Sequence, residues 1–342
     1  MRRAIFSTLL VGLLLSSPLT PCRADDKDSW VGKMVFTKKP GTHFGVTRDD
    51  KDLDFGALNE PCYKVLAEQG KWIKVRQQDK EGWFAKADAV PLEEAVDYFT
   101  RRIDSSPQDA YAYKSRGHAR RLRGELDLAL KDYDEAIRLA PKEAAYWFGR
   151  GTAWHEKGDY DKAIKDYNEA IQLDPKFTLA YHTRGLAWRA KGDYDKAVAD
   201  FTEALKLAPK DAVVLNDRAV AWTAKKEYDK AIKDFDEAAR ANPKYGTPLG
   251  NNAYLLATCP DEKFRDGKKA KELATQACEL TEWKDGWNLM SLAAACAEVG
   301  EFDDAIKWQK QALEDKAYYA QEAAKASKRL KWYGDKKPWR EE

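Results

Sequence analysis

Histidine and cysteine are scarce in this chain, with four of the first and five of the second in 342 residues. The histidines, His43, His118, His155 and His182, are scattered, and no two stand at the spacing that puts a metal-ligating pair on one helix face. The sequence therefore offers no metal centre. A glycine-rich phosphate loop is also missing, and with it any nucleotide-handling motif. No nucleophile, base and orienting group form a recognisable constellation, so a noncatalytic chain without cofactors is expected. Beyond the first two dozen residues no apolar run is long enough to span a membrane. Charge of one sign is missing too, since 59 Lys and Arg stand against 57 Asp and Glu. Lysines alternate with aspartates as on a solvated helix face, and no basic stripe interleaved with aromatics stands out, so nucleic acid is not an expected partner.

What is present begins with a leader. Arg2 and Arg3 precede an apolar run from Leu9 to Leu15, followed by Pro18, Pro21 and Ala24 ahead of the acidic Asp25. Residues 1–24 read as a secretory signal, because the apolar core is too short to cross a bilayer and Cys22-Arg23-Ala24 gives a cleavage site. An alternative acylates Cys22, against which Pro21 stands where a small residue is needed. Removing residues 1–24 takes away Arg2, Arg3 and Arg23 and no acid, leaving a nearly neutral chain. The expected location is periplasmic or secreted.

From residue 107 the chain repeats. Pro107, Pro141, Pro175, Pro209 and Pro243 fall 34 residues apart, as do Ala95, Ala129, Ala163, Ala197 and Ala231. In one unit, Trp147, Gly151 and Trp154 recur at helical spacing, as do Ala163, Tyr167 and Ala170, on either side of the Gly158-Asp159 turn. Gly158 ends the first helix in the left-handed region, Asp159 caps the next, and Pro175 closes it. Units starting at Ala110, Ala144, Thr178 and Ala212 follow this pattern, then two degenerate ones around Asn251–Ala277 and Leu289–Ala312. A lone second helix, Glu93–Ile103, precedes them. Tyr319, Ala323, Ala326, Leu330 and Tyr333 form a stripe on a capping helix after them, within residues 316–342. At the turn position of Gly124, Gly158, Gly192 and Gly300, the Ala212 unit has Lys226, which a shared backbone would force to positive φ.

The length and the order of Trp, Gly, aromatic, Ala, Tyr and Pro resemble the tetratricopeptide repeat, over residues 93–315. The resemblance implies a mainly α fold, a right-handed solenoid of stacked helix pairs with an extended binding surface. It implies that a protein or extended peptide lies along the first helices, where Tyr111, Lys114, His118, Phe148, Thr152, His155, His182, Leu186, Arg189, Asn216, Val220 and Tyr254 stand at groove positions. Phe148 is the expected anchor. Members that clamp a peptide's terminal carboxylate need Lys, Asn and Arg residues. Lys114 matches, but His118, Gly149 and Leu186 do not, so the clamp is not expected.

Between residues 25 and 92 the pattern alternates instead, as in Tyr63–Leu66 and Trp72–Val75, with turns at Glu68-Gln69-Gly70 and Asp79–Gly82. The order Gly70, Trp72, Val75, Gly82, Trp83, Phe84 is similar to the second half of bacterial SH3-like domains, which implies a small β-barrel. Pro40–Gly56 reads as a charged insertion without strand signature. An envelope-targeting alternative gives this domain a cell-wall ligand and makes the helical array a spacer.

Two further patterns are weighed. Arg116, Arg150, Arg184 and Arg218 each precede an aspartate by sixteen residues, Asp132, Asp166, Asp200 and Asp234. The reading is a structural ladder in which each arginine pairs with an aspartate of its own or a neighbouring unit; the rival reading has the arginines bind an acidic ligand. Four cysteines, Cys62, Cys259, Cys278 and Cys296, follow the leader. Helical rise separates Cys259 from Cys278 too far for a disulfide, whereas Cys259 and Cys296 lie on parallel first helices; a bond between these two and buried free thiols are both left open.

Overall fold

The computed structural model describes residues 29–48, 51–58, 62–77 and 80–341. The leader and the acylation alternative at Cys22 lie outside the described residues. Two compact units divide between Tyr98 and Phe99. The division falls inside a helix, because the chain passes from the last strand, ending at Pro91, into that helix at Leu92 without a linker.

In the first unit, the alternating segments form β1 (Met34–Thr37), β2 (His43–Arg48), β3 (Lys51–Ala57), β4 (Tyr63–Lys64), β5 (Ala67–Gln69), β6 (Trp72–Gln77), β7 (Lys80–Ala85) and β8 (Ala89–Pro91). They make a three-stranded sheet in the order β4-β1-β8 and a five-stranded one in the order β3-β2-β7-β6-β5. Val35, Phe44, Tyr63, Val65, Ile73, Val75 and Phe84 supply the buried face. The reading of Pro40–Gly56 as an insertion is corrected: β2 and β3 pair antiparallel through Thr47 opposite Asp52, and Gly45 of β2 pairs with Trp83 of β7. Backbone pairing is indifferent to side-chain charge, so the acidic run concealed a hairpin.

The helical segments are α1 (Leu92–Ser105), α2 (Ala110–Leu122), α3 (Leu126–Leu139), α4 (Ala144–Glu156), α5 (Tyr160–Leu173), α6 (Thr178–Ala190) and α7 (Tyr194–Leu207), then α8 (Ala212–Ala224), α9 (Tyr228–Ala241), α10 (Gly246–Thr258), α11 (Gly267–Leu280), α12 (Gly286–Glu298), α13 (Phe302–Ala312) and α14 (Lys316–Gly334). From α2 onward each first helix packs on the second helix of its unit, and each second helix on the next first helix, which makes a solenoid. Small residues set the spacing: a Cβ at Gly185 would lie 2.6 Å from Cε1 of the buried Phe201 ring. Where the sequence is degenerate, Pro260 and Asp261 extend the α10–α11 connection through a short 3₁₀ turn at Glu262–Phe264.

The inter-helix turns share one hydrogen-bond pattern. Gly158 donates to the His155 carbonyl at 2.9 Å and Asp159 to that of Trp154 at 3.0 Å; Lys226 and Glu227 repeat this onto Thr223 and Trp222 at 2.9 and 3.0 Å. Lys226 has φ of 61°, in the left-handed region beside Gly158 at 81°. Lys226→Gly is therefore expected to stabilise the solenoid by up to about 1 kcal/mol, the gain being trimmed by glycine's greater freedom in the unfolded chain. Thermal denaturation of both proteins checks this, and a lower midpoint for the glycine variant would count against a shared strain.

On α14 the buried residues are Tyr318, Ala326, Arg329 and Tyr333, whereas Tyr319 is 57% exposed. The expected stripe is thus rotated at its start. A purely apolar reading passed over Arg329, which is buried because partners meet its charge.

Candidate functional site

The ladder arginines build the frame of the first helices. Arg150 forks onto Asp166, with Nε to Oδ2 at 2.8 Å and Nη2 to Oδ1 at 2.7 Å, while Nη1 reaches back to Asp134 at 2.6 Å. Arg184 repeats this with Asp200 and Asn168, and Arg218 with Asp234 and Thr202. Arg116 holds Asp132 and reaches Thr100, and Asp132 takes a further bond from Arg120 at 2.8 Å. Each arginine therefore ties its own second helix to the preceding one. In the next unit Asn252 stands 34 residues after Arg218 and keeps only the backward bond, to Asp236 at 2.8 Å. Burial pushes the carboxyls of Asp132, Asp166 and Asp200 up, and the guanidinium groups pull them back. With their nitrogens engaged inside the solenoid, these arginines are not arranged to meet an external acid.

Side chains along the first helices touch at a separation of 35 residues, one repeat plus one. Arg121 pairs with Glu156, His182 Nε2–H donates to Asp217 Oδ2 at 2.8 Å, and Asn251 donates to Asn216 at 3.0 Å. These pairs link α2 to α4, and α6 through α8 to α10; α4 also lies beside α6, so the five first helices form a strip. Arg189 closes a triad by donating to Asp217 at 3.0 Å. Asp217 and Arg121 escaped the sequence reading. Arg121 carries a legible signal, since it stands 34 residues before His155 and 68 before Arg189; Asp217 lies one residue off the register chosen for the groove.

The remaining groove candidates are more enclosed than their positions imply. Tyr111 meets the Phe99 ring edge-on and carries Lys114 over its face at 5.0 Å. His118 is buried, which with Arg121 and Lys114 nearby depresses its pKa well below the usual imidazole range. His155 packs edge-on against Tyr160, and burial lowers it too. Thr152 donates to the Phe148 carbonyl. Phe148 lies half-buried against the rings of Tyr167 and Phe177, with centroids 5.7 and 4.8 Å away. It is a packing residue first, because a ring at this position falls into the gap between units rather than over the strip. Exposed apolar surface includes Leu179, 49% exposed, and Val213, 45% exposed. These precede His182 and Asn216 by three residues and so share their helix faces. Leu186 and Val220 continue the same stripes. Tyr254 belongs elsewhere, beneath the segment that follows α14.

Among the described residues no group of three His, Cys, Asp or Glu side chains is placed to hold a metal ion. Cys259, Cys278 and Cys296 are buried free thiols; burial pushes Cys278 and Cys296 up to about 12, far from reactive thiolates. Cys278 and Cys296 share one core cluster and Cys259 lies in another, so the parallel-helix pairing of Cys259 with Cys296 is not formed. Among the described residues no helix is long and apolar enough to cross a membrane.

Comparison with known proteins agrees with this architecture. Residues 92–142, 115–176 and 182–245 match the tetratricopeptide repeat family. Tetratricopeptide repeat protein 36 of Caenorhabditis elegans is 35% identical over 87 residues, a quarter of this chain and 43% of that protein, so the chain spans less than half of this relative. Among solved structures, the Cut9–Hcn1 hetero-tetramer of the APC/C superposes with a TM-score of 0.57 at 19% identity, over 71% of this chain and 46% of that one. The C-terminal part of a repeat protein from Cytophaga hutchinsonii gives 0.53 at 20% identity, over 69% and 94%. At such identities the likeness is one of fold. The helix pairs of residues 92–245 thus match tetratricopeptide repeats, and the pairs that follow continue the same solenoid stacking.

Proposed function

We propose that the chain is an exported, noncatalytic scaffold that takes an extended segment of another protein along the strip of α2, α4, α6 and α8. The carrying observation is the pairing of Asp217 with His182 and Arg189 on the two helices that expose Leu179 and Val213, joined by the Arg121–Glu156 pair on α2 and α4. Apolar contacts flanked by fixed charges suit a peptide laid across several helices, which gains area from the apolar residues and register from the ions. A small metabolite needs an enclosed cavity instead. The leader at residues 1–24 supports export, and the order Gly70, Trp72, Val75, Gly82, Trp83, Phe84 supports reading the β unit as an SH3-like module.

The test captures partners from an envelope fraction with three full-length forms: the parent, Leu179→Glu/Val213→Glu, and Leu207→Glu on a second helix. Partners held by the parent and the Leu207 variant are expected to bind the double variant at least about tenfold more weakly, as hot-spot residues buried under a peptide would dictate. Equal capture by all three sinks the groove reading and leaves the β unit as the binding module.

A further inference from the structure

The chain turns back on itself after α14. Lys336, at φ of 55°, donates to the Tyr333 carbonyl and Lys337 to that of Trp332. This left-handed turn reverses the backbone. Residues 334–337 are exposed, then Pro338, Trp339, Arg340 and Glu341 become half-buried against α10, α12 and α14.

Each of the last three has its own receiver. The Trp339 indole packs on the core cluster that includes Ala253, Leu289 and Tyr333, meets Trp332 edge-on at 5.4 Å, and lies under the Arg329 guanidinium. Arg340 pairs with Glu298 of α12 at 2.6 Å and donates to the Ala257 carbonyl at 3.3 Å. The Glu341 carboxylate accepts from the Tyr254 hydroxyl and the Trp339 indole, and its backbone N–H donates to the Thr258 carbonyl at 3.1 Å. Tyr254, Ala257 and Thr258 lie in the last turns of α10, the first helix of their unit.

These contacts describe a receptor: an apolar slot for an indole, a carboxylate for a guanidinium, a hydroxyl for a carboxylate, and a backbone carbonyl for an extended main chain. We propose that the surface of α10 and α12 is a second peptide-binding site, selective for an extended segment with aromatic, basic and acidic side chains in succession, which residues 339–341 hold closed in cis. The occupant from outside is a partner segment of that chemistry. It binds by displacing the strap, whose four-residue tether gives it an effective concentration on the order of millimolar. The site uses none of the residues of the α2–α8 strip and stands or falls apart from it.

The probe is a fluorescein-labelled, amidated peptide of sequence Asp-Lys-Lys-Pro-Trp-Arg-Glu, titrated by anisotropy against the full chain. Against Trp339→Ala/Arg340→Ala/Glu341→Ala the Kd is expected to fall at least about tenfold relative to the parent, because the competitor has been removed. Adding Tyr254→Phe and Glu298→Gln to that variant should reverse the gain, and a peptide with Ala for Trp should not bind. Leu179→Glu/Val213→Glu should bind the peptide as the parent does, which separates this site from the strip. Equal affinity for parent and triple variant overturns the proposal, as does binding indifferent to the peptide's Trp. Where the triple variant loses its helical circular dichroism, Arg340→Ala alone serves, since it removes the Glu298 and Ala257 contacts and leaves Trp339 and Glu341 in place; peptide affinity unchanged from the parent there overturns the proposal equally.

Discussion

Asp166→Ala is expected to lower the stability of the solenoid by about 3 kcal/mol, the low end of what breaking a buried ion pair costs. Asp166 is buried and receives two hydrogen bonds from Arg150. Its loss strands a guanidinium that neither water nor protein solvates on that side, and the remaining bond to the exposed Asp134 recovers only part of the cost. Arg150→Met/Asp166→Leu is expected to cost about 1 kcal/mol or less, because the pair's attraction is largely offset by the desolvation that both groups escape when apolar side chains replace them. Arg150→Met alone adds a pH signature. With the arginine gone, burial acts unopposed and raises the Asp166 carboxyl above its unfolded value near 4. A group whose folded pKa is raised favours the folded state below the unfolded pKa and loses that support as pH rises. The deficit of this variant should therefore be smaller at pH 4 than at pH 7. Urea denaturation of the three proteins at both pH values measures this, and equal costs for single and double variants would remove the coupling on which the ladder rests.

The repeat was legible because it is enforced by packing. A small residue at Gly185 has no substitute while Phe201 fills the adjacent space, and the period of 34 copies that constraint from unit to unit. The arginine ladder was legible from Arg116 to Asp234 for the same reason. Three features were not. Phe148 stands at a groove position by register, but whether a ring lies over the strip or drops between units depends on Phe177, outside the helical pattern. The lysines that alternate with aspartates suggested a solvated face, yet Lys157 and Lys162 lie over Trp154, Lys191 and Lys196 over Trp188, and Lys225 and Lys230 over Trp222. A lysine ammonium held over an indole face gains a cation–π contact while staying partly exposed, so polarity alone misplaces it. The strap at residues 338–341 has no periodicity at all, and only tertiary contact reveals what Trp339, Arg340 and Glu341 have in common.

Arg329→Ala is expected to cost about 3 to 5 kcal/mol and to uncouple the end of the solenoid from the rest. Arg329 is 2% exposed, with Nη1 donating to the Tyr318 hydroxyl at 3.1 Å, and Nη2 placed 3.2 Å from the Tyr254 hydroxyl and 3.0 Å from Glu322 Oε2. One guanidinium thus joins α14 to α10 and lies over the ring of Trp339. Its removal leaves the Glu322 carboxylate without its cation and opens a space beneath Trp339. Arg329→Lys should recover little, because a single ammonium on a flexible stem cannot reach the two hydroxyls and the carboxylate at once, nor stack on an indole as a planar group does. In a linear array each unit is stabilised by its neighbours, so a lesion at one end need not bring down the other. Hydrogen exchange should therefore show α13 and α14 losing protection while α4 to α7 keep theirs, and the denaturation curve should split into two steps. A single transition displaced to lower denaturant, with protection lost evenly from α2 to α14, would show that the solenoid folds as one unit and that Arg329 stabilises all of it.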